Sequence, residues 1–422
     1  MISLAYAALW IFVFSVPWEN VLAIPGLGVI SRLTGGIALG LALVSALFSG
    51  RFRRWHLFHV AALLFVIWAG ASVLLFDMEE VPKKFLTYVQ LFLVLWMMWE
   101  VAPSRARLNG LLAAYVFGAY VSAISTIMVS RREMGIARRF AAQGFDANDL
   151  AGALALALPM AWYLSTVSRR PLIRWACRAY LPVGLLGIGL TGSRGGMIAT
   201  MVALLVVPLT MTRLSPGRLA TAIAMLCLSG ALAVAYVPET IVQRLATTSS
   251  DVEEGHLGGR LKIWVAGGQA FARRPLLGYG TSGFRNAIAP YLPTTPQVAH
   301  NSYLSVLVEN GIVGFLLYAV MWLAVFRAVL HLPLLDRRFA LVLLATLAVI
   351  MLPLAWEDHK AAWFILAALV GLARPWEAAA GSALPRQSSR MRGMPVASTS
   401  PRPGPSRPLA ALRRDAERGI RP

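Results

Sequence analysis

Charged residues are scarce in this sequence of 422 residues, where Asp, Glu, Lys and Arg together make up 14%. Soluble domains contain about 25%. Apolar residues make up 58%, so a water-soluble fold would have too little polar surface to cover itself. An intrinsically disordered chain is excluded as well, because disorder requires low hydrophobicity. The class that remains is a polytopic membrane protein.

Cysteine is scarcer still, with two residues in the whole chain. Cys177 and Cys227 both lie in or beside apolar stretches, so they give no disulfide framework and no CxxC motif for metal or redox chemistry. No grouping of Asp and His has metal-ligand spacing. No run of paired carboxylates within the apolar stretches suggests a proton-coupled pump. We therefore predict no metal site and no cofactor.

Long apolar runs are what the sequence has instead. A membrane-spanning helix needs about 20 mostly apolar residues, and twelve stretches approach this pattern. The sequence thus predicts an all-α fold, a polytopic bundle of about twelve transmembrane helices with one large extracytoplasmic loop. The predicted spans are 2–18, 28–48, 57–76, 84–100, 108–129, 149–167, 177–191, 196–211, 219–237, 303–326, 339–355 and 360–373.

Acidic residues are also few, 19 against 39 Lys and Arg, which leaves a net charge of +20. With the N-terminus inside, 24 of the 39 basic residues fall on the inner face, ten of them after residue 373. The short loops alone place 14 basic residues inside and 9 outside. Because short cytoplasmic loops are enriched in Lys and Arg, both termini are predicted to be cytoplasmic. Met1 to Trp18 lacks a basic region and a cleavage site, so it is interpreted as the first span rather than a signal peptide.

These patterns divide the chain into four predicted parts. Residues 1–237 form a membrane bundle of about nine spans, and 303–373 add about three more. Residues 238–302 form an extracytoplasmic loop that we expect to be catalytic. Residues 374–422 are rich in Pro, Ser and Arg, a composition that predicts a disordered basic cytoplasmic tail.

Arginines on the outer face are the first candidates for function, because the charge rule favours arginine inside. Arg194 lies in the glycine-rich turn Gly192-Ser-Arg-Gly, between two apolar segments. A guanidinium binds phosphate through paired hydrogen bonds. The alternative is a helix-end anchor whose charge reaches the lipid headgroups. Arg139 and Arg260 lie in two further outer loops, and Arg139 has the same two interpretations.

His300-Asn301 ends the long loop, directly before the tenth predicted span. Histidine is the side chain most easily used as a general base near neutral pH, although a lone histidine is more often structural. Glu309 lies about 2.5 turns further along the same helix, so it cannot be a direct helical neighbour of His300.

Several motifs together resemble the O-antigen ligase and polysaccharide polymerase superfamily of bacterial inner-membrane glycosyltransferases. The strongest is His300-Asn301, nine residues, then Gly311-x-x-Gly314. The likeness covers roughly residues 140 to 325. The other motifs are Gly144-Phe-Asp146-x-Asn148-Asp149, Gly192-Ser-Arg194-Gly, Gly259-Arg260-x-x-Ile-Trp264, Pro275-Leu-Leu-Gly278-x-Gly280, Tyr303-Leu304 and Glu309-x-Gly311.

The resemblance implies a multi-pass inner-membrane enzyme that needs no metal. It would move a glycan from undecaprenyl pyrophosphate to an acceptor hydroxyl on the periplasmic face. Expected partners are this lipid-linked donor, a sugar acceptor (lipid A–core or growing polysaccharide) and the bilayer, with no nucleic acid. His300 is the implied catalytic residue. Arg194 and Arg260 are expected to bind the donor pyrophosphate, with Arg139 as a secondary candidate, and the expected supporting residues are Asn148, Asn301, Tyr303 and Glu309.

Other functions stay open at this point. The shared motifs do not identify the acceptor, so lipid A–core ligation and polymerisation of polysaccharide repeats are equally compatible with them. A protein O-oligosaccharyltransferase is a third possibility, although such enzymes usually have more sequence after the signature loop. From a different class, a secondary transporter of an anionic solute fits twelve spans and outward arginines. A transporter should, however, show broken helices or repeated halves, which the sequence does not display.

Overall fold

The computed structural model describes residues 1–24, 26, 28–50, 52–75, 81–133, 139–211, 216–246, 259–292 and 298–374. All of these lie in one compact unit, Met1–Trp376. Apart from Arg374, the predicted tail lies outside the described residues. The described ranges contain sixteen α-helices, one 3-10 helix (Val16–Trp18) and one antiparallel pair of short strands, β1 (Ala23–Ile24) and β2 (Gly28–Val29).

Helices lie at each of the twelve predicted spans, and three more lie in the predicted extracytoplasmic loop. The helices are α1 Ile2–Ser15, α2 Ile30–Ser49, α3 Leu57–Leu75, α4 Val81–Val101, α5 Arg105–Arg132, α6 Ala147–Val167, α7 Pro171–Thr191, α8 Arg194–Leu204, α9 Val206–Thr210, α10 Pro216–Tyr236, α11 Glu239–Ala246, α12 Arg260–Arg273, α13 Phe284–Ile288, α14 Ser302–Leu330, α15 Leu334–Ile350 and α16 Lys360–Ala373.

Six helices in the described part of the chain are long and apolar enough to cross a membrane, namely α2, α4, α5, α6, α10 and α14. Four shorter apolar helical stretches accompany them: Ile2–Trp18, Leu57–Ser72, Arg194–Thr210 and Lys360–Ala373. The helical class and the presence of several membrane-length helices are therefore confirmed. The total of twelve spans stays a prediction.

The eighth predicted span, 196–211, is two helices rather than one. Helix α8 ends at Leu204 and α9 begins at Val206. Pro208 lies in α9 and has no N–H to donate to the carbonyl of Leu204. The helical hydrogen-bond ladder is therefore interrupted where the sequence pattern showed only a continuous apolar run.

Helix α6 lies at the centre of the bundle and packs against α5, α7, α8 and α15. Every residue from Leu150 to Ser165 is buried. Alanine and glycine make up much of this stretch, and small residues let helix backbones approach closely where hydrocarbon surrounds the bundle. The N-terminus of α6 is thereby fixed among its neighbours, and this positions the site described below.

Helix α14 bends sharply at Gly311, whose backbone has φ 62° and ψ −171°. The segment from Pro275 to Gly280 fills the bend. The N–H groups of Tyr279 and Gly280 donate to the carbonyls of Val308 (3.0 Å) and Glu309 (2.8 Å). A Cβ on Gly311 would lie 2.1 Å from the carbonyl oxygen of Leu276. The Pro275–Gly280 motif and the Glu309–Gly311 motif therefore pack directly against each other. This contact attaches the long loop to α14.

Candidate functional site

The turn between α7 and α8 presents Arg194. Gly192 adopts the left-handed conformation (φ 56°) that ends α7, and the Ser193 hydroxyl accepts a hydrogen bond from the N–H of Gly196, which caps α8. A Cβ on Gly196 would lie 2.4 Å from the Cβ of Ala151, so only glycine lets α8 meet α6 this closely. Arg194 is consequently the first residue of α8.

Arg139 and Asn148 lie directly beside this turn. The Arg139 guanidinium donates through Nε to the carbonyl of Thr191 (2.9 Å) and through Nη2 to Oδ1 of Asn148 (2.8 Å). The same Asn148 oxygen accepts from the Ser193 hydroxyl at 2.9 Å. Asp146 caps α6 by accepting from the N–H of Asn148 at 2.8 Å. The N-termini of α6 and α8, which carry positive partial charge and favour anions, therefore meet here.

Arg260 belongs to the long loop and lies at the same site. It is the first residue of α12 and follows Gly259, which is left-handed with φ 80°. Arg260 lines a small cleft together with Asn148, Ser193 and Gly196. Helices α12 and α13 pack against the start of α14 through a small apolar core of their own, which includes Ile263, Phe284 and Val308. This core fixes the position of Arg260 relative to His300.

His300 has a left-handed backbone with φ 45°, unusual for a residue with a side chain. Asn301 follows in extended conformation and caps α14, its Oδ1 accepting from the N–H groups of Tyr303 (3.0 Å) and Leu304 (3.1 Å). Just before His300, the Ala299 carbonyl accepts from the indole of Trp264 on α12 (3.1 Å). The His300 side chain is half-buried. Strained backbone conformations of this kind persist where the surrounding structure enforces them, and they often mark functional sites.

The charges of these groups interact. Burial lowers the pKa of His300, the Arg260 guanidinium lowers it further, and the Asp146 carboxylate opposes both effects. Burial also lowers the pKa of Arg139, with added repulsion from Arg244 and Arg260. A guanidinium nonetheless remains protonated in proteins. The site therefore combines fixed positive charge with a histidine that is neutral at pH 7 and able to accept a proton.

Arg194 lies on the side of the site that faces α11. Its Nε and Nη2 donate to the backbone carbonyl of Arg244 at 3.2 Å and 2.9 Å. Arg244 was not recognised from the sequence, since it lies in the long loop outside every motif. Its charge nevertheless acts on Arg139. The structure thus brings Arg139, Asn148, Arg194, Arg260 and His300 to one region, around the N-termini of α6 and α8.

Two predicted supporting residues lie elsewhere. The Tyr303 hydroxyl donates to the carbonyl of Ala348 at 3.1 Å and joins α14 to α15. Glu309 lies one to two turns further along α14 and accepts from the ammonium of Lys84 at 2.8 Å. Neither is among the groups that shift the pKa of His300. The contacts of Tyr303 and Glu309 are those of structural residues, and their predicted supporting role stays a prediction.

A buried ion cluster was missed from the sequence. Lys84 on α4 binds both Glu309 (2.8 Å) and Glu357 (2.7 Å), and the Ser305 hydroxyl donates to Glu357 at 2.6 Å. The exposed fraction of the Lys84 side chain is 13%, and those of the two glutamates are 4% and 1%. Lys84 marked the edge of a predicted span, but nothing in the sequence linked it to carboxylates so far along the chain.

Metal-ligating side chains do not group together in the described part of the chain. No three His, Cys, Asp or Glu residues there lie close enough to hold a metal ion. The functional groups at the site are guanidinium, imidazole, amide, hydroxyl and the Asp146 carboxylate.

The comparison with protein families agrees with the motifs. Residues 179–319 match the family model described as O-antigen ligase. This range includes the α7–α8 turn, the long loop and the first part of α14. No curated protein shows significant similarity to the chain. The membrane-length helices indicate a multi-pass membrane protein, and residues 179–319 are similar to the O-antigen ligase family.

Proposed function

We propose that this protein transfers a glycan from undecaprenyl pyrophosphate to an acceptor hydroxyl at the periplasmic face of the inner membrane, without a metal ion. The observation that carries the proposal is the placement of His300 next to Arg260, at the point where the N-termini of α6 and α8 meet. Fixed cations suit a pyrophosphate, and a neutral imidazole suits an acceptor hydroxyl.

In the proposed reaction, the acceptor oxygen attacks the anomeric carbon of the donor glycan. The bond from that carbon to the phosphate oxygen breaks, and its electron pair leaves with undecaprenyl pyrophosphate. His300 takes the proton of the acceptor hydroxyl. Arg260 and Arg194 stabilise the charge that develops on the leaving group, since preorganised donors in a half-buried site cost little reorganisation. Arg139 links the Thr191 carbonyl to the Asn148 side chain and so holds the turn in place.

The test of this function is transfer in proteoliposomes that contain the full-length protein. A labelled lipid-linked glycan is supplied with lipid A–core in one sample and with further lipid-linked repeats alone in another. Covalent movement of label to lipid A–core supports a ligase, and growth of the labelled chain supports a polymerase. Movement of label across the vesicle membrane without any covalent transfer would contradict the proposal and favour a transporter.

Arg194 provides a prediction about the donor. Arg194→Lys keeps the charge but loses the fork of N–H groups that binds phosphate oxygens in pairs. We expect transfer to fall about 10²-fold to 10³-fold, the usual cost of losing one preorganised charge-stabilising donor. Arg285→Lys, an exposed arginine of α13 in the long loop, serves as the matched control. Unchanged transfer and donor affinity in Arg194→Lys would instead assign Arg194 to membrane anchoring.

Asp146 provides a prediction about pH. Asp146→Asn keeps the cap of α6, because Asn caps as well as Asp, but it removes the negative charge that raises the pKa of His300. The pKa of His300 should then fall further, so the acidic limb of the transfer rate against pH moves to lower pH. The variant would keep a larger share of its maximal rate in mild acid. A limb that stays in place, or moves to higher pH, would show that His300 does not control it.

A further inference from the structure

A second cavity lies away from the arginine site, between α1, α2 and α4. It offers about 230 Å³ of empty space, a little below the roughly 300–1,000 Å³ of pockets that bury a whole drug-sized ligand. Its lining on α4 runs from Thr87 to Met97, about 15 Å of helix. Most of its exposed lining is apolar, with Leu39, Val94 and Met97 among the contributing side chains.

The charged groups of this cavity gather at one end. Ser31 and Arg32 begin α2, and Lys360 begins α16. Glu19 accepts hydrogen bonds from the Ser31 hydroxyl and from the Lys360 ammonium, the latter at 2.7 Å. Arg32 is exposed and has no ion pair or side-chain hydrogen bond among the described residues. Two cations against one carboxylate leave this end positive, whereas the opposite end is apolar.

The polar end lies near the candidate site. Lys360 follows His359, whose ring stacks on Trp356 with centroids 4.1 Å apart. Trp356 in turn donates to the carboxylate of Asp149, beside Asn148. Both sites are therefore at the same predicted outer face. Arg32 at this face runs against the charge rule that favours arginine inside, so membrane topology does not account for its presence.

We propose that this cavity binds a single phosphate-bearing lipid, with its hydrocarbon chain between α2 and α4 and its phosphate against Arg32 and Lys360. A mostly apolar cavity with a positive end matches an amphiphile that has an apolar chain and an anionic head. The cavity opens beside α2, of which little is buried in the bundle, so a lipid can enter sideways from the bilayer. This site is separate from the arginine site that holds the donor pyrophosphate, and it does not depend on the transfer reaction.

Gly36 offers a way to close the cavity. Gly36 lines it, and a Cβ added there would meet no atom within 4 Å. Gly36→Leu would therefore fill the space without a clash at its Cβ and would also improve helix propensity. Gly40, one turn further along α2, likewise has no atom within 4 Å of an added Cβ, but it does not line the cavity. Gly40→Leu is thus the matched control.

The experiment is photo-crosslinking of the purified full-length protein in nanodiscs, followed by peptide mapping. The probes are a phosphatidate with a diazirine on its acyl chain and a diacylglycerol with the same chains. We expect the phosphatidate to label peptides of α2 and α4 at least fivefold more than the diacylglycerol. Gly36→Leu should remove at least four fifths of this labelling, and Gly40→Leu should retain it. Arg32→Gln should bring the two probes to about equal labelling.

Equal labelling by both probes in the unaltered protein would overturn the proposal, because it would show contact with bulk lipid alone. Labelling that survives Gly36→Leu would overturn it as well, since the chain would then lie outside the cavity. Arg32 is exposed, so its replacement does not endanger folding. Because crosslinking does not require glycan transfer, its result is independent of the test of the proposed function.

Discussion

Replacement of His300 by Asn is expected to lower the rate of glycan transfer by about 10²-fold to 10⁴-fold, the usual contribution of a general base. Asn tolerates the left-handed backbone that His300 adopts, so the link between the long loop and α14 should remain intact. Its amide can form hydrogen bonds but cannot take the proton of the acceptor hydroxyl. The measurement is the initial rate of transfer in proteoliposomes at equal protein content.

The control for this variant is His331→Asn. His331 ends α14 at the opposite end of the helix and is exposed, so the same change there should leave transfer unaltered. Transfer close to that of the unaltered protein in His300→Asn would show that proton transfer uses another group. Reduced abundance of His300→Asn in the membrane would point to a role in folding and not in the reaction.

Replacement of Lys84 by Met is expected to destabilise the protein by about 3–5 kcal/mol, the cost of breaking a buried ion pair by removing one partner. The change leaves Glu309 and Glu357 buried without their cation. Repulsion between these carboxylates would act on the start of α14 and on the segment before α16. Unfolding is followed by heating the protein in detergent and measuring the folded fraction by size-exclusion chromatography.

Two controls separate the ion cluster from a general effect of the substitution. Lys83→Met changes the exposed neighbour and should leave the thermal midpoint unaltered. Lys84→Met combined with Glu309→Gln and Glu357→Gln removes the buried charges together, so we expect it to recover much of the lost stability. If the triple variant were less stable than Lys84→Met alone, repulsion between the glutamates would not be the cause.

The helix boundaries at the candidate site depend on local sequence. The Gly192-Ser193-Arg194 turn, the capping position of Asn301 and the start of α12 at Arg260 are all determined by a few neighbouring residues. Each is a helix boundary whose capping residue or glycine is visible in the sequence. The family motifs added the expectation that these helix boundaries lie at one site. The position of Arg260 beside His300 agrees with this expectation.

Other parts of the site depend on contacts that no local pattern reports. Arg244 meets Arg194 only because α11 folds back over the α7–α8 turn. Glu309 is part of a sequence motif, but its binding partner is Lys84, which the sequence did not indicate. The glycine at position 311 is required because the Pro275–Gly280 segment fills the bend of α14. Packing between distant segments decides such pairings, and single-sequence periodicity contains no information about them.

The sequence by itself determined that this protein is helical and lies in a membrane, because an apolar chain of this composition must satisfy its backbone hydrogen bonds within helices. It also identified the short segments that carry the proposed site residues. Only the tertiary structure decided which of them meet. Lys84 lies 225 residues from Glu309 and 273 residues from Glu357, and His300 acquires its cationic neighbour only when α12 packs on α14. These contacts form because whole helices bury their surfaces against one another. The free energy of this burial depends on the assembled bundle and cannot be assigned to any one segment.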